Sequence, residues 1–278
     1  MTQGATIERL VGRTLIMGVL NASPDSFYSP SRVKSPHDFR AQVQTMAQDG
    51  ADILDIGGVS SRPGSEPVSV GREQARVLPL LEALDGTGLT ISVDTYRAST
   101  ALEAMKFGVA MINDITALRG DPEMGGVIAD AGAECVMMHM QGMPNTMQDN
   151  PQYDDVVDDI CAFFEERIAF ATGEGIPENK LWLDPGFGFG KTVRHNLTIL
   201  RRLGELKRFG LPLLIGTSNK STIGAVLDAP VDERIEGTAA TVAVAIYNGA
   251  DCVRVHDVKS MARVARMTDA IAGKVHID

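Results

Sequence analysis

Cysteine is scarce in this chain: Cys135, Cys161 and Cys252 are the only three in 278 residues, and they lie far apart. Spread this far apart, and two of them inside apolar runs, they fit reduced cytosolic thiols better than a disulfide framework or a zinc site. Long apolar runs are missing too, and no stretch reaches the roughly 18 residues of a membrane-spanning helix. The N-terminus has no basic segment followed by an apolar core and a small-residue cleavage site. Basic charge is in deficit, with 26 Lys and Arg against 36 Asp and Glu, a net charge of −10. Such a balance argues against a sequence-independent grip on nucleic acid or on an anionic membrane. Any anion must be held locally, and the expectation is a cytoplasmic protein with small-molecule partners.

Low-complexity linkers and blocks of only strands or only helices are also absent. Apolar runs alternate instead with helical stretches. The runs are Leu15 to Leu20, Asp52 to Ile56, Leu89 to Val93, Val109 to Ile112, Glu134 to Met138, the run ending at Asp184, Pro212 to Gly216, and Asp251 to His256. Helices are predicted over 37–48, 71–84, 98–107, a stretch opened by Asp121-Pro122-Glu123, 153–172, 194–207, 221–227, 232–248 and 258–272. Near-continuous apolar runs mark strands buried on both faces of a parallel sheet. Eight of them alternating with helices predict an α/β fold, a (β/α)₈ TIM barrel in a single domain over residues 1–278, since one such barrel commonly needs about 250 residues. A doubly wound open sheet is the runner-up.

In a barrel all the strand C-termini open on one face. Asn21, Arg62, Asp94, Asn113, His139, Asp184, Lys220 and Arg254 then converge from distant points of the sequence. The segment L-W-L-D-P-G-F-G-F-G-K from Leu181 shows the pattern: a strand, a carboxylate at Asp184, and a turn whose glycines let the backbone lie close against a flat ligand. It is not a phosphate-binding P-loop, because Pro185 stands where that motif needs its first glycine. The dinucleotide fingerprint fails as well, at Lys191. Buried carboxylates need donors, and a ring edge with adjacent N–H and amino groups supplies them in pairs, as a 2-amino-4-oxo pyrimidine does. Arginine can stack on such a ring or grip phosphate, while Lys220 can reach a carbonyl or an anion. His139 is read as orienting a loop, Met137, Met138 and Met140 as packing, and Asp114 as structural.

Several segments together resemble one known family. They are M-G-V-L-N-A-S-P-D-S-F from Met17, G-A-D-I-L-D-I-G-G-V-S-S-R-P-G from Gly50, S-V-D-T from Ser92, I-N-D-I from Ile112 and M-H-M-Q-G from Met138. D-P-G-F-G-F-G-K-T from Asp184, S-N-K-S from Ser218 and R-V-H-D-V from Arg254 complete the set. In this order, over essentially the whole chain, they resemble the dihydropteroate synthases. The resemblance implies condensation of 6-hydroxymethyl-7,8-dihydropterin diphosphate with 4-aminobenzoate in folate biosynthesis. It implies that Asp94, Asn113, Asp184 and Lys220 hold the pterin, with Arg254 stacked on it and Met138 and Gly216 lining the pocket. Asn21 would help bind Mg²⁺ and diphosphate, together with Arg254 and His256. Ser61, Arg62 and Pro63, with Lys220 and Ser221, would frame the aminobenzoate. The catalytic set so implied is Asp25, Arg62, Lys220 and Arg254, and the assembly a homodimer.

The chain departs from the family pattern at Ser23 and at Tyr28-Ser29-Pro30-Ser31 in the first loop, at Val59 and Ser61 in the second, and at Asn219 before Lys220. These positions fall on the aminobenzoate side. They keep open a pterin-binding paralogue without condensing activity. A pterin-dependent methyltransferase of related architecture shares only the pterin end of the resemblance.

Overall fold

Strand side chains alternate between the barrel interior and the layer under the helices, so both sets must be apolar for the strand to be buried. The computed structural model describes residues 12–22, 36–60, 68–84, 87–142 and 146–275. Its strands are β1 (Leu15–Asn21), β2 (Ile53–Gly57), β3 (Thr90–Asp94), β4 (Met111–Asp114), β5 (Glu134–Met138), β6 (Leu181–Asp184), β7 (Leu214–Ile215) and β8 (Cys252–Val255). All pair in parallel in the order β6-β5-β4-β3-β2-β1-β8-β7, and a parallel bridge between Leu183 and Leu213 joins the two ends. The result is the expected eight-stranded barrel.

The helices outside it are α1 (Pro36–Gln48), α2 (Val70–Leu84), α3 (Ala98–Met105), α4 (Met124–Ala131), α5 (Val156–Gly173), α6 (Val193–Arg202), α7 (Ser221–Leu227), α8 (Ile235–Tyr247) and α9 (Val258–Ile271). On β1, Leu15 and Met17 point inward while Ile16 and Leu20 join the outer layer. On β6, Trp182 fills the interior and Leu181 and Leu183 face out. The interior also holds Ile53, Met111, Val136, Leu214 and Cys252, and burial of each large apolar side chain contributes roughly 1.5–3 kcal/mol. Trp182 keeps its polar atom satisfied by donating Nε1–H to the buried Glu134 carboxylate. The three cysteines are free and buried.

Three boundaries differ from the sequence reading, each for a local reason. The helix expected to reach Lys207 stops at Arg202 and tightens into a 3₁₀ stretch, Leu203–Phe209. Its threefold repeat buries Leu203 and Leu206 on one side. Strand β7 is only two residues long, because Pro212 has no N–H to give the ladder and contributes only its carbonyl, which accepts from Leu183 N at 3.0 Å. Asp121 does not cap its own helix. One of its oxygens accepts from Glu123 N at 3.1 Å and the other from Ala98 N at 2.9 Å, so it ties the start of α3 to the turn before α4.

Candidate active site

The alternation that buries the strands also aims the polar residues. Met111, Trp182 and Cys252 point into the barrel, so the residues two positions on, Asn113, Asp184 and Arg254, point the same way at its open end. Asp94 follows Ser92 by the same count and stands in register with Asn113 on one side and Gly57 on the other. Met138 ends β5 opposite Asp184. A polar ring thus caps a largely apolar barrel interior.

These groups line one cavity, open to solvent. Eight residues expected at the site meet there: Asp94, Asn113, Met138, Asp184, Gly216, Lys220, Arg254 and His256. The remaining lining comes from Ile115, Phe187, Phe189 and Ser218. Arg254 crosses the floor, donating Nε–H to Asp55 Oδ2 at 2.6 Å and Nη2–H to Asp94 Oδ2 at 3.0 Å. Asn113 Nδ2 donates to the same Asp55 oxygen at 3.1 Å. Burial alone would lower the pKa of Arg254, but Asp55 and Asp94 more than offset it and hold the guanidinium more firmly protonated.

Burial pushes the Asp94 carboxyl up to about 7; Arg254 opposes this, while Asp55 and Glu73 add to it. Burial likewise raises Asp184 to about 6, against the Gly186 N–H and the cations Lys220, Lys191 and Arg254. Asp184 Oδ1 accepts from Gly186 N at 2.7 Å, and its backbone carbonyl accepts from His139 N at 2.9 Å. The loop after β6 can approach that closely only through glycine. Gly186 has φ +67°, and a Cβ there would stand 1.9 Å from the His139 carbonyl oxygen.

Lys191 lies behind this loop, buried, with Nζ 2.9 Å from His139 Nδ1, 3.0 Å from the Phe189 carbonyl and 3.3 Å from the His139 carbonyl. Burial brings its ammonium down to about 7, with Asp184 opposing and Lys220 adding to the shift. Burial also depresses His139 to about 2, reinforced by Lys191 and Arg119, so the ring is neutral; the sequence reading has it orient a loop, and here it meets Lys191 of the loop after β6. In front, Lys220 Nζ sits over the Phe189 ring, 4.1 Å from its centroid. Ser218 Oγ lies 3.0 Å from His256 Nδ1. Asp114 is structural as expected, accepting from Thr116 N and Leu118 N at 2.7 and 2.8 Å to hold the turn after β4.

Not every expected residue lines this cavity. Asn21 ends β1 with an exposed side chain, and Ser221 is exposed at the first turn of α7. Asp25, Ser61, Arg62 and Pro63 lie outside the described residues. Sequence reasoning passed over Asp55, Lys191 and Phe189. The signal for Asp55 was parity, since it lies midway between Ile53 and Gly57 on the inward face.

Residues 17–256 match the family of pterin binding enzymes. The chain is 44% identical over 261 residues to the dihydropteroate synthase of Synechocystis, covering 93% of this chain and 90% of the relative. It is 43% identical over 256 residues to that of Escherichia coli, covering 92% and 90%. Among solved structures it is similar to the Yersinia pestis dihydropteroate synthase in complex with a sulfonamide drug, with a TM-score of 0.90, 39% identity and coverage of 97% of this chain and 99% of the other. The Clostridium difficile enzyme, solved in the presence of pteroic acid, gives 0.86 at 44% identity, covering 94% and 97%. A barrel mouth that gathers carboxylates, an amide and cations, and a match that runs from β1 to the end of β8, together make this chain a member of the dihydropteroate synthases.

Proposed function

We propose that the chain condenses 6-hydroxymethyl-7,8-dihydropterin diphosphate with 4-aminobenzoate to give 7,8-dihydropteroate and diphosphate. The carrying observation is the gathering of Asp94, Asn113 and Asp184 with Arg254 and Lys220 in one cavity. Acceptors of this kind are complementary to the N–H and amino edge of a pterin, and cations beside them suit a diphosphate. A relative from Xanthomonas albilineans, 38% identical, is solved with 4-aminobenzoic acid. The relatives matched over more than nine-tenths of the chain are dihydropteroate synthases, which favours condensation over methyl transfer.

In this reading Asp94, Asn113, Asp184 and Lys220 hold the pterin, Arg254 stacks on it, and Met138 and Gly216 line its edges. Arg254 and His256 face the diphosphate with Asn21, while Ser61, Arg62, Pro63, Lys220 and Ser221 frame the aminobenzoate. Asp25 completes the catalytic set with Arg62, Lys220 and Arg254. The amine is neutral near pH 7, so its lone pair attacks the pterin methylene without a strong base. The C–N bond forms, the C–O bond to diphosphate breaks, and the amine proton leaves to solvent. Charge develops on the departing diphosphate, and the cations of the mouth lower that barrier. Asn21 offers an amide oxygen, a hard donor of the kind Mg²⁺ takes, and Mg²⁺ fills most of its positions with phosphate oxygens and water, so the donor fits. When bound, Mg²⁺ neutralises charge on the leaving group.

Strands β3, β4, β5, β6 and β8 each supply a residue of this one cavity, which supports reading residues 1–278 as one domain. No helix of the described residues is long and apolar enough to cross a membrane, in keeping with a cytoplasmic setting. A homodimer is supported by apolar side chains left exposed on the late helices. The test is diphosphate release by purified protein with Mg²⁺ and both substrates. Turnover is expected, and Asp184→Asn should weaken pterin binding by about 1.5–3 kcal/mol, the range of a charge-assisted hydrogen bond. A folded protein that forms no pteroate overturns the reading.

A further inference from the structure

Packing does not explain Asp55. It sits in the middle of β2, fully buried, on the inward face between Ile53 and Gly57. A carboxylate stripped of water needs donors on its oxygens, and an apolar residue would fill such a position at less cost. Oδ2 has two donors, Arg254 Nε at 2.6 Å and Asn113 Nδ2 at 3.1 Å, while Oδ1 has no partner among the described residues. Both donors belong to residues that line the cavity above.

That arrangement fixes the sense of an amide. Beside the guanidinium, Asp55 acts as an acceptor, so the atom of Asn113 turned towards it must be the NH₂. Flipping the amide would set two acceptors 3.1 Å apart. The Oδ1 of Asn113 is thereby turned away from Asp55, towards the space that Asn113 lines beside the carboxylates of Asp94 and Asp184. The same Asp55 oxygen holds Arg254 at Nε and leaves Nη2 to Asp94.

Resting on the assignment of this cavity to the pterin, we propose that Asp55 is a positioning and specificity-determining residue. By pinning the Asn113 amide and the Arg254 guanidinium, it makes the floor present oxygen acceptors to the ring, and so selects a heterocycle whose edge carries an amino donor. Asp55 acts through its two neighbours and does not itself reach the ligand.

Calorimetric titration of the wild type and of Asp55→Asn tests this, using 6-hydroxymethylpterin and its 2,4-dioxo counterpart, in which oxygen replaces the 2-amino donor. The wild type prefers the amino compound. In the variant an amide tolerates either orientation of Asn113, and the preference narrows about tenfold or more. In turnover the KM for the pterin diphosphate rises while the KM for 4-aminobenzoate stays unchanged. An unaltered preference in a folded variant overturns the role of Asp55 and leaves the pterin reading standing, whereas a wild type that binds neither compound overturns both. Should Asp55→Asn not fold, the wild type decides by ¹⁵N NMR. The Asn113 side-chain NH₂ protons are expected to exchange slowly with and without pterin, and exchange at surface rates overturns the proposal.

Discussion

Asp94 and Asp184 end their strands where water is thin and cations are close, and burial wins over the cations for both. Carboxyls displaced to about 7 and about 6 titrate near neutral pH. Only the ionised form accepts from a ring N–H on both oxygens. As pH rises through this window the two sites lose their protons, so pterin affinity rises with pH and levels off above about 8. Below the window it falls by up to about tenfold per unit for each carboxylate protonated. Calorimetry with a pterin probe at several pH values checks this, and a flat profile between about pH 5 and pH 8 would falsify it. Asp94, Asn113, Asp184 and Arg254 were legible in the sequence because each stands at or near the end of an apolar run. Asp55 and Lys191 were not. Asp55 is hidden among Ile53, Leu54 and Ile56, and Lys191 sits where Gly190-Lys191-Thr192 imitates the tail of a phosphate loop that Pro185 rules out.

At the scale of elements, the loops after β5 and β6 meet backbone to backbone at Gly186, beside the side-chain tie of Lys191 to His139. Gly186→Ala puts a Cβ onto the His139 carbonyl in a left-handed conformation, which by itself costs about 1–2 kcal/mol. With the clash added, the expected loss is about 3 kcal/mol or more in a denaturant titration. Gly126→Ala in α4 is the control. A Cβ there meets nothing within 4 Å, and the change should stabilise the fold by up to about 1 kcal/mol. Equal effects of the two changes would sink the account of the loop contact. The strands and most helices were readable to within one or two residues because their periodicity was strong. What was not readable required knowledge of neighbours: Asp121 lies one turn before α4, yet it reaches Ala98 on α3, a contact that only the barrel's curvature creates.

For the whole molecule, the apolar surface is distributed unevenly. Tyr247 on α8 and Met267 and Ile271 on α9 are 63–65% exposed, and these two helices pack side by side. Light scattering of the purified protein is expected to give the mass of two chains, and Tyr247→Glu should lower it towards one by setting a charge in the contact. A monomeric mass for the unaltered protein would count against the homodimer. The barrel itself was legible from the count of apolar runs. The outer surface was not, since exposed apolar positions on a helix have the same spacing whether they meet a partner or water.

The bridge from Leu183 to Leu213 has a bearing on assembly. A sheet whose first and last strands are joined offers no unpaired peptide groups for a foreign chain to extend. Contacts with other macromolecules are therefore left to helix flanks and loops, where they can change without disturbing the ring of strands that carries the chemistry.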